Sequence, residues 1–274
     1  MTLKLRNNLI LLLFAVSLCC ILVAAAIFLV AVAQHAITPP PAHRIPAFLN
    51  HLAFARYHFV ATMLSITVLV LYVPTTLFVM YRAFENTQTS EIIFFSGFLI
   101  SCLCEGSRIL LPLFGLGASF SQLQFFCGRI LLIGRILAPL SLLAAAILSD
   151  IDQRQDIERN FMILIAVSTM FALVIPLNTT EFTSSCTIHW GFSRLITIVK
   201  TFFALTAILS FLFGGLRHDS KELKMVALAA TFLLFGYQLL AISDNFVFLA
   251  VGTAFLVSGT YLLLLNLHKL YMWK

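Results

Sequence analysis

Residues Ile92 to Leu116 read IIFFSGFLISCLCEGSRILLPLFGL, an apolar run of 25 residues whose only charges are Glu105 and Arg108. A helix needs about 20 apolar residues to cross the hydrocarbon core of a bilayer. A charge near the centre of such a span costs roughly 2.5 to 3.5 kcal/mol. Glu105 and Arg108 are therefore expected to face protein or a wet cavity rather than lipid. This one stretch places the chain in a membrane and marks where its chemistry is concentrated.

Seven more stretches of the same kind fill the rest of the 274 residues: Leu9 to Ala33, Tyr57 to Met80, Leu123 to Leu148, Phe161 to Leu177, Phe192 to Leu216, Met225 to Ile242 and Asn245 to Leu267. The composition agrees, at 61% hydrophobic and 10% charged, against about 25% charged in ordinary soluble domains. The expected fold is all-α, a polytopic integral membrane helical bundle of eight transmembrane helices. Residues 1–274 form one transmembrane domain. The longest connection, the outer loop 34–56, has 23 residues, fewer than the ~40 a domain needs to fold without disulfides or metal. The fifth span is the shortest and carries Pro176 near its end, so it reads as little tilted or partly re-entrant.

Orientation follows from the basic residues. With the amino terminus inside, Lys4, Arg6, Arg82, Arg154, Arg159, Arg217, Lys221, Lys224, Lys269 and Lys274 face the cytoplasm, while Arg44, Arg56 and Arg194 lie outside, ten against three. Cationic loops stay on the cytoplasmic side, so both termini are expected there, in a bacterial-type inner membrane. The same distribution accounts for the net charge of +6 without nucleic acid. Ala31-Val32-Ala33 after the first span has the small-residue pattern of a signal-peptidase site. Signal cores run about 7 to 15 residues, so the 25-residue span reads as a retained anchor. Cleavage would leave seven spans, an architecture that resembles the membrane input regions of bacterial sensor proteins.

Five ionisable side chains lie inside the spans: Glu105, Arg108, Arg129, Arg135 and Lys200. At a rise of ~1.5 Å per residue, Glu105 stands about 20 Å from the inner end of the third span, while Arg129 and Arg135 stand about 9 and 18 Å below the outer end of the fourth. Adjacent spans joined by a short loop pack antiparallel, which brings Glu105 to a level between the two arginines. Glu105 and Arg108 are three apart and share a helix face. Arg129 and Arg135 are six apart, about 120° round the helix, so they cannot point equally well at one carboxylate. One is expected to pair with Glu105 and the other to be left over. Lys200 adds a cation about 12 Å below the outer surface. Four cations against one carboxylate leave a surplus of three, and buried charges need partners. Arginine's planar fork suits carboxylate and phosphate.

A small residue precedes four arginines, in Ser107-Arg108, Gly128-Arg129, Gly134-Arg135 and Ser193-Arg194. Small residues let a neighbouring helix come close. Pro39-Pro40-Pro41 stiffens the outer loop. Asp150 to Arg159 reads as a solvated turn or a docking surface for a cytoplasmic partner. His35, His43, His51, His58 and His189 cluster toward the outer side, but no metal spacing joins them. Five cysteines lie in apolar runs and Cys186 in a loop, which is no disulfide framework. There is no HExxH motif, P-loop or nucleophile elbow. The expectation is a non-enzymatic bundle without metal or cofactor. It binds an anionic small molecule or lipid headgroup from its outer half through Glu105, Arg108, Arg129, Arg135 and Lys200, for transport. The alternative is a sensor input module that signals through a separate cytoplasmic protein.

Overall fold

A computed structural model describes residues 3–40, 56–85, 89–113, 121–149 and 156–272. Among them eight helices are long and apolar enough to cross a membrane. They are α1 (Leu3–Ala33), α2 (Phe59–Phe84), α3 (Ser90–Cys104, continued as a 3-10 helix over Glu105–Leu110), α4 (Ser121–Ser149), α5 (Ile157–Val174), α6 (Ser193–Arg217), α7 (Lys221–Ile242) and α8 (Phe246–Met272). A two-stranded antiparallel hairpin, β1 (Leu177–Phe182) and β2 (Ile188–Trp190), joins α5 to α6. The expected spans match these helices in number and order. Of the outer loop, residues 41–55, with Pro41, His43, Arg44 and His51, lie outside the described residues, as do 150–155 and 273–274.

Two spans end sooner than the hydropathy predicts. The third runs as α-helix only to Cys104, tightens to 3-10 geometry at Glu105 and stops at Leu110. Leu111 keeps helical backbone, but the ring of Pro112 leaves no N–H to continue the ladder. The fifth stops at Val174 instead of Leu177 because Ile175, just before Pro176, is extended, the conformation a proline imposes on its predecessor. β1 follows, paired as Leu177 with Trp190 and Asn178 with His189, and its register shifts before Phe182 pairs with Ile188.

The core lies along α3 and α4, whose apolar faces are buried for most of their length, while α1, α5 and α6 leave most of theirs outward. A helix that is apolar all round must be surrounded by protein or lipid, and the three outer helices have little protein around them. Glycines set the closest approaches. A Cβ on Gly134 would stand 2.6 Å from the Cβ of Cys104 and 3.0 Å from the Ser101 carbonyl oxygen, so α3 and α4 meet there. Gly236 and Gly259 serve α7 and α8 alike, with virtual Cβ atoms 2.6 Å from the Leu256 nitrogen and 2.9 Å from the Leu233 nitrogen.

The two ends of the bundle differ. At one end the Arg6 guanidinium donates to the carbonyls of Phe84 and Glu85 at 2.6 and 3.1 Å. The Tyr271 hydroxyl there donates to buried Glu91 at 2.6 Å. This terminal end carries Lys4, Arg6, Arg82, Arg159, Arg217, Lys221, Lys224 and Lys269. The opposite end carries the hairpin and, among the described arginines and lysines, Arg56 and Arg194. There the Thr38 amide donates to the Pro112 carbonyl at 2.8 Å and the His58 amide to the Asp244 carbonyl at 2.9 Å, which ties the helix connections together.

Candidate functional site

Glu105 is the centre of the site. Its carboxylate is completely buried where α3 turns to 3-10 geometry. Oε2 accepts from Arg108 Nη1 at 3.0 Å, one turn along the same element. Arg135 reaches across from α4, donating from Nε to Oε1 at 2.8 Å and from Nη2 to Oε2 at 3.3 Å. The glycine before it allows this, since Gly134 removes the Cβ that would hold α4 away from Cys104. The Tyr237 hydroxyl of α7 donates to Oε1 at 3.0 Å. Two oxygens thus accept four hydrogen bonds, the full complement of a carboxylate.

The two arginines carry this cluster outward to the hairpin. Arg108, completely buried, donates from Nε and Nη2 to the Ser185 carbonyl at 2.9 and 2.5 Å. Arg135 donates from Nη2 to the Ala241 carbonyl at 3.0 Å and lies over the Trp190 ring, 5.0 Å from its centroid. The hairpin turn is folded into the bundle. Cys186 and Ile188 are almost fully buried, and Thr183 accepts the Thr187 amide at 3.2 Å on its hydroxyl. Cys186 holds a left-handed φ of 54°. Burial pushes its thiol up to about 11, although the neighbouring Arg108 guanidinium pulls the other way.

Arg129 is brought to a different place. Its Nη1 donates to the carbonyls of Ala172 and Ile175, the latter at 2.6 Å, where α5 ends and its carbonyls lack helical partners. Its guanidinium also covers the Phe125 ring at 4.5 Å. Of the two arginines on the fourth span, Arg135 is the one that pairs with Glu105.

Lys200 is the fifth residue. Among the described residues it makes no hydrogen bond or ion pair, and it lies within electrostatic range of Arg135 and Glu105. It lines a groove of about 410 Å³ between α4, α6 and α7. The upper part carries polar groups from Thr197, Lys200, Thr201 and Gln238, with Arg135 and Tyr237 at the back. Ala204, Leu205, Ile208, Leu234 and Phe235 line the rest. Lys200 is seven residues beyond Ser193, about 11 Å from the hairpin end. Among the described residues, the Lys200 ammonium and the Arg108 and Arg135 guanidiniums are grouped with the buried Glu105 carboxylate.

Tyr237, Gln238 and Trp190 were not singled out by the sequence. Tyr237 and Gln238 follow Gly236 and carry adjacent hydrogen-bonding groups inside an apolar span, which was a usable signal. Among the described residues no group of three His, Cys, Asp or Glu side chains is placed to hold a metal ion. Compared with protein-family models and with curated proteins, the chain matches none.

Proposed function

We propose that the chain is a multi-pass protein of a cell inner membrane with both termini in the cytoplasm. In this reading it binds an anionic small molecule or lipid headgroup at the Lys200 groove, from the half of the bundle that carries the hairpin, for transport. The observation that carries the reading is a lysine ammonium with no hydrogen-bond or ion-pair partner among the described residues, set in a groove beside a cluster of two arginines and one carboxylate. A cation in such surroundings needs a counter-ion. Arg135 supplies a planar fork next to it. Polar groups toward the hairpin end and aliphatic lining farther in suit an amphiphile with an anionic head.

Transport draws support from the change of α3 to 3-10 geometry at Glu105. Discontinuous helices beside a charged site are a recurring device of carriers. An arriving carboxylate or phosphate would compete with Glu105 for Arg135, giving the site two arrangements. A sensor that signals to a cytoplasmic partner is the second reading, favoured by the Glu105 cluster that fills the bundle behind the groove. Proteoliposomes separate the two. A carrier gives anion-dependent uptake of a labelled amphiphilic carboxylate or phosphate that fails in Lys200→Gln. Binding without uptake leaves the sensor, and neither binding nor uptake removes both.

A further inference from the structure

A second groove, of about 790 Å³, runs between α2 and α8 on another side of the bundle. Its deep end is closed by the Tyr72 hydroxyl and Thr260 Oγ1, 2.6 Å apart. Val257 lies just beyond that pair, and Val79, Tyr261 and Leu265 form apolar walls toward the terminal end. At that end it is lined by Arg82, His268 and Lys269. From Tyr72 to Arg82 is ten residues and from Val257 to Lys269 twelve, so the groove extends about 15 to 18 Å along the helix axes.

At its mouth, Lys269 lies within electrostatic range of Glu222 at the start of α7. Among the described residues neither Arg82 nor Lys269 takes part in an ion pair. Arg82 leans over the Phe78 ring, 5.4 Å from its centroid. His268 Nδ1 is buried without a hydrogen-bond partner, its ring edge-on to Phe84 at 5.6 Å. Two cations and an imidazole thus top a mainly apolar channel that opens sideways, and among the described residues no carboxylate lines it. A phosphodiester supplies the missing charge, and an acyl chain fills the channel beneath. Phosphatidylcholine carries the same phosphodiester, but its choline adds a cation beside Arg82 and Lys269, so a lipid of net negative charge is favoured.

We propose that this groove is a binding site for one anionic glycerophospholipid of the leaflet at the terminal end, its phosphate between Arg82 and Lys269 and a chain along Val79 and Leu265. The site is separate from the Lys200 groove and does not depend on it. Native mass spectrometry of the purified full chain tests it, with phosphatidylglycerol and phosphatidylcholine of identical chains as probes. Two basic residues at a membrane surface give roughly a thirtyfold preference for the anionic lipid. The preference is expected to fall to about twofold or less in the Arg82→Gln, Lys269→Gln double variant. Val79→Trp, which fills the channel and leaves both charges, should lose the bound lipid equally. Lys200→Gln should change nothing here, which keeps this outcome distinct from that of the first groove. Equal retention of the two lipids by the wild-type chain would overturn the proposal. So would an unchanged preference in the double variant or in Val79→Trp, or its loss in Lys200→Gln.

Discussion

Glu105 holds four hydrogen bonds in a space from which water is excluded, so its charge is indispensable to three neighbours at once. Replacing it with glutamine keeps the volume but leaves Arg108 and Arg135 without a counter-charge. Breaking one side of a buried ion pair costs about 3 to 5 kcal/mol in soluble proteins, and hydrogen bonds within membranes are weaker, averaging about 0.6 kcal/mol. Glu105→Gln should lower the melting temperature of the detergent-solubilised chain. Adding Arg135→Gln should recover part of the loss, because one unpaired cation is then gone. A single variant that melts like wild type would show that the pair contributes nothing. Much of this was legible in the sequence: three-residue spacing gives Arg108, and depth arithmetic on antiparallel spans gives one of Arg129 and Arg135. The choice between them was not legible. It depends on the close approach at Gly134 and on the free carbonyls at the end of α5 that capture Arg129, and hydropathy carries neither.

The hairpin is the element that hydropathy overlooked. Its strands are too short and polar to register as spans, yet β-branched and aromatic residues flank Ser184-Ser185-Cys186 on both sides, in Thr179-Thr180-Glu181-Phe182 and Thr187-Ile188-His189-Trp190. Such runs around a small polar cluster are a hairpin signal. Arg108 and Trp190 dock it on the ion cluster, so its position should follow theirs. Cys186 reports on this. Only the thiolate reacts with a maleimide, and a thiol raised to about 11 is almost wholly protonated at neutral pH. Cys186 in a variant lacking the other five cysteines should therefore label slowly with a water-soluble maleimide. Its rate should rise toward that of a free thiol as pH approaches 11. Arg108→Gln should free the hairpin and speed labelling at pH 7, because access to water relieves the burial that raises the thiol and outweighs the loss of the guanidinium's opposite pull. Fast labelling of the parent protein would mean that the turn is not docked. The α3–α4 contact makes a similar demand, and Gly134→Leu should cost about 1 to 3 kcal/mol through overpacking against Cys104.

At the scale of the whole molecule, the number and order of helices follow from eight apolar runs because any one of them is long enough to cross a bilayer. Helix ends were less legible, since prolines at 112 and 176 terminate helices inside runs that remain apolar. The basic residues gather at the terminal end, which predicts a cytoplasmic face there. Reporter fusions after Lys224 should read as cytoplasmic and a fusion after Glu181 as external. A reversed result would invert the orientation.

The groove at Lys200 carries the account's central claim, and binding of matched amphiphiles measures it most directly. The thermal stability of the purified chain should rise with lysophosphatidic acid and not with lysophosphatidylcholine of the same chain. A ligand at a hundred times its Kd stabilises by about 2.7 kcal/mol. Most of that gain should vanish in Lys200→Gln, while Arg129→Gln should keep it, since Arg129 is held by the carbonyls of Ala172 and Ile175. Equal shifts with the two lipids, or an undiminished shift in Lys200→Gln, would contradict an anion site at Lys200.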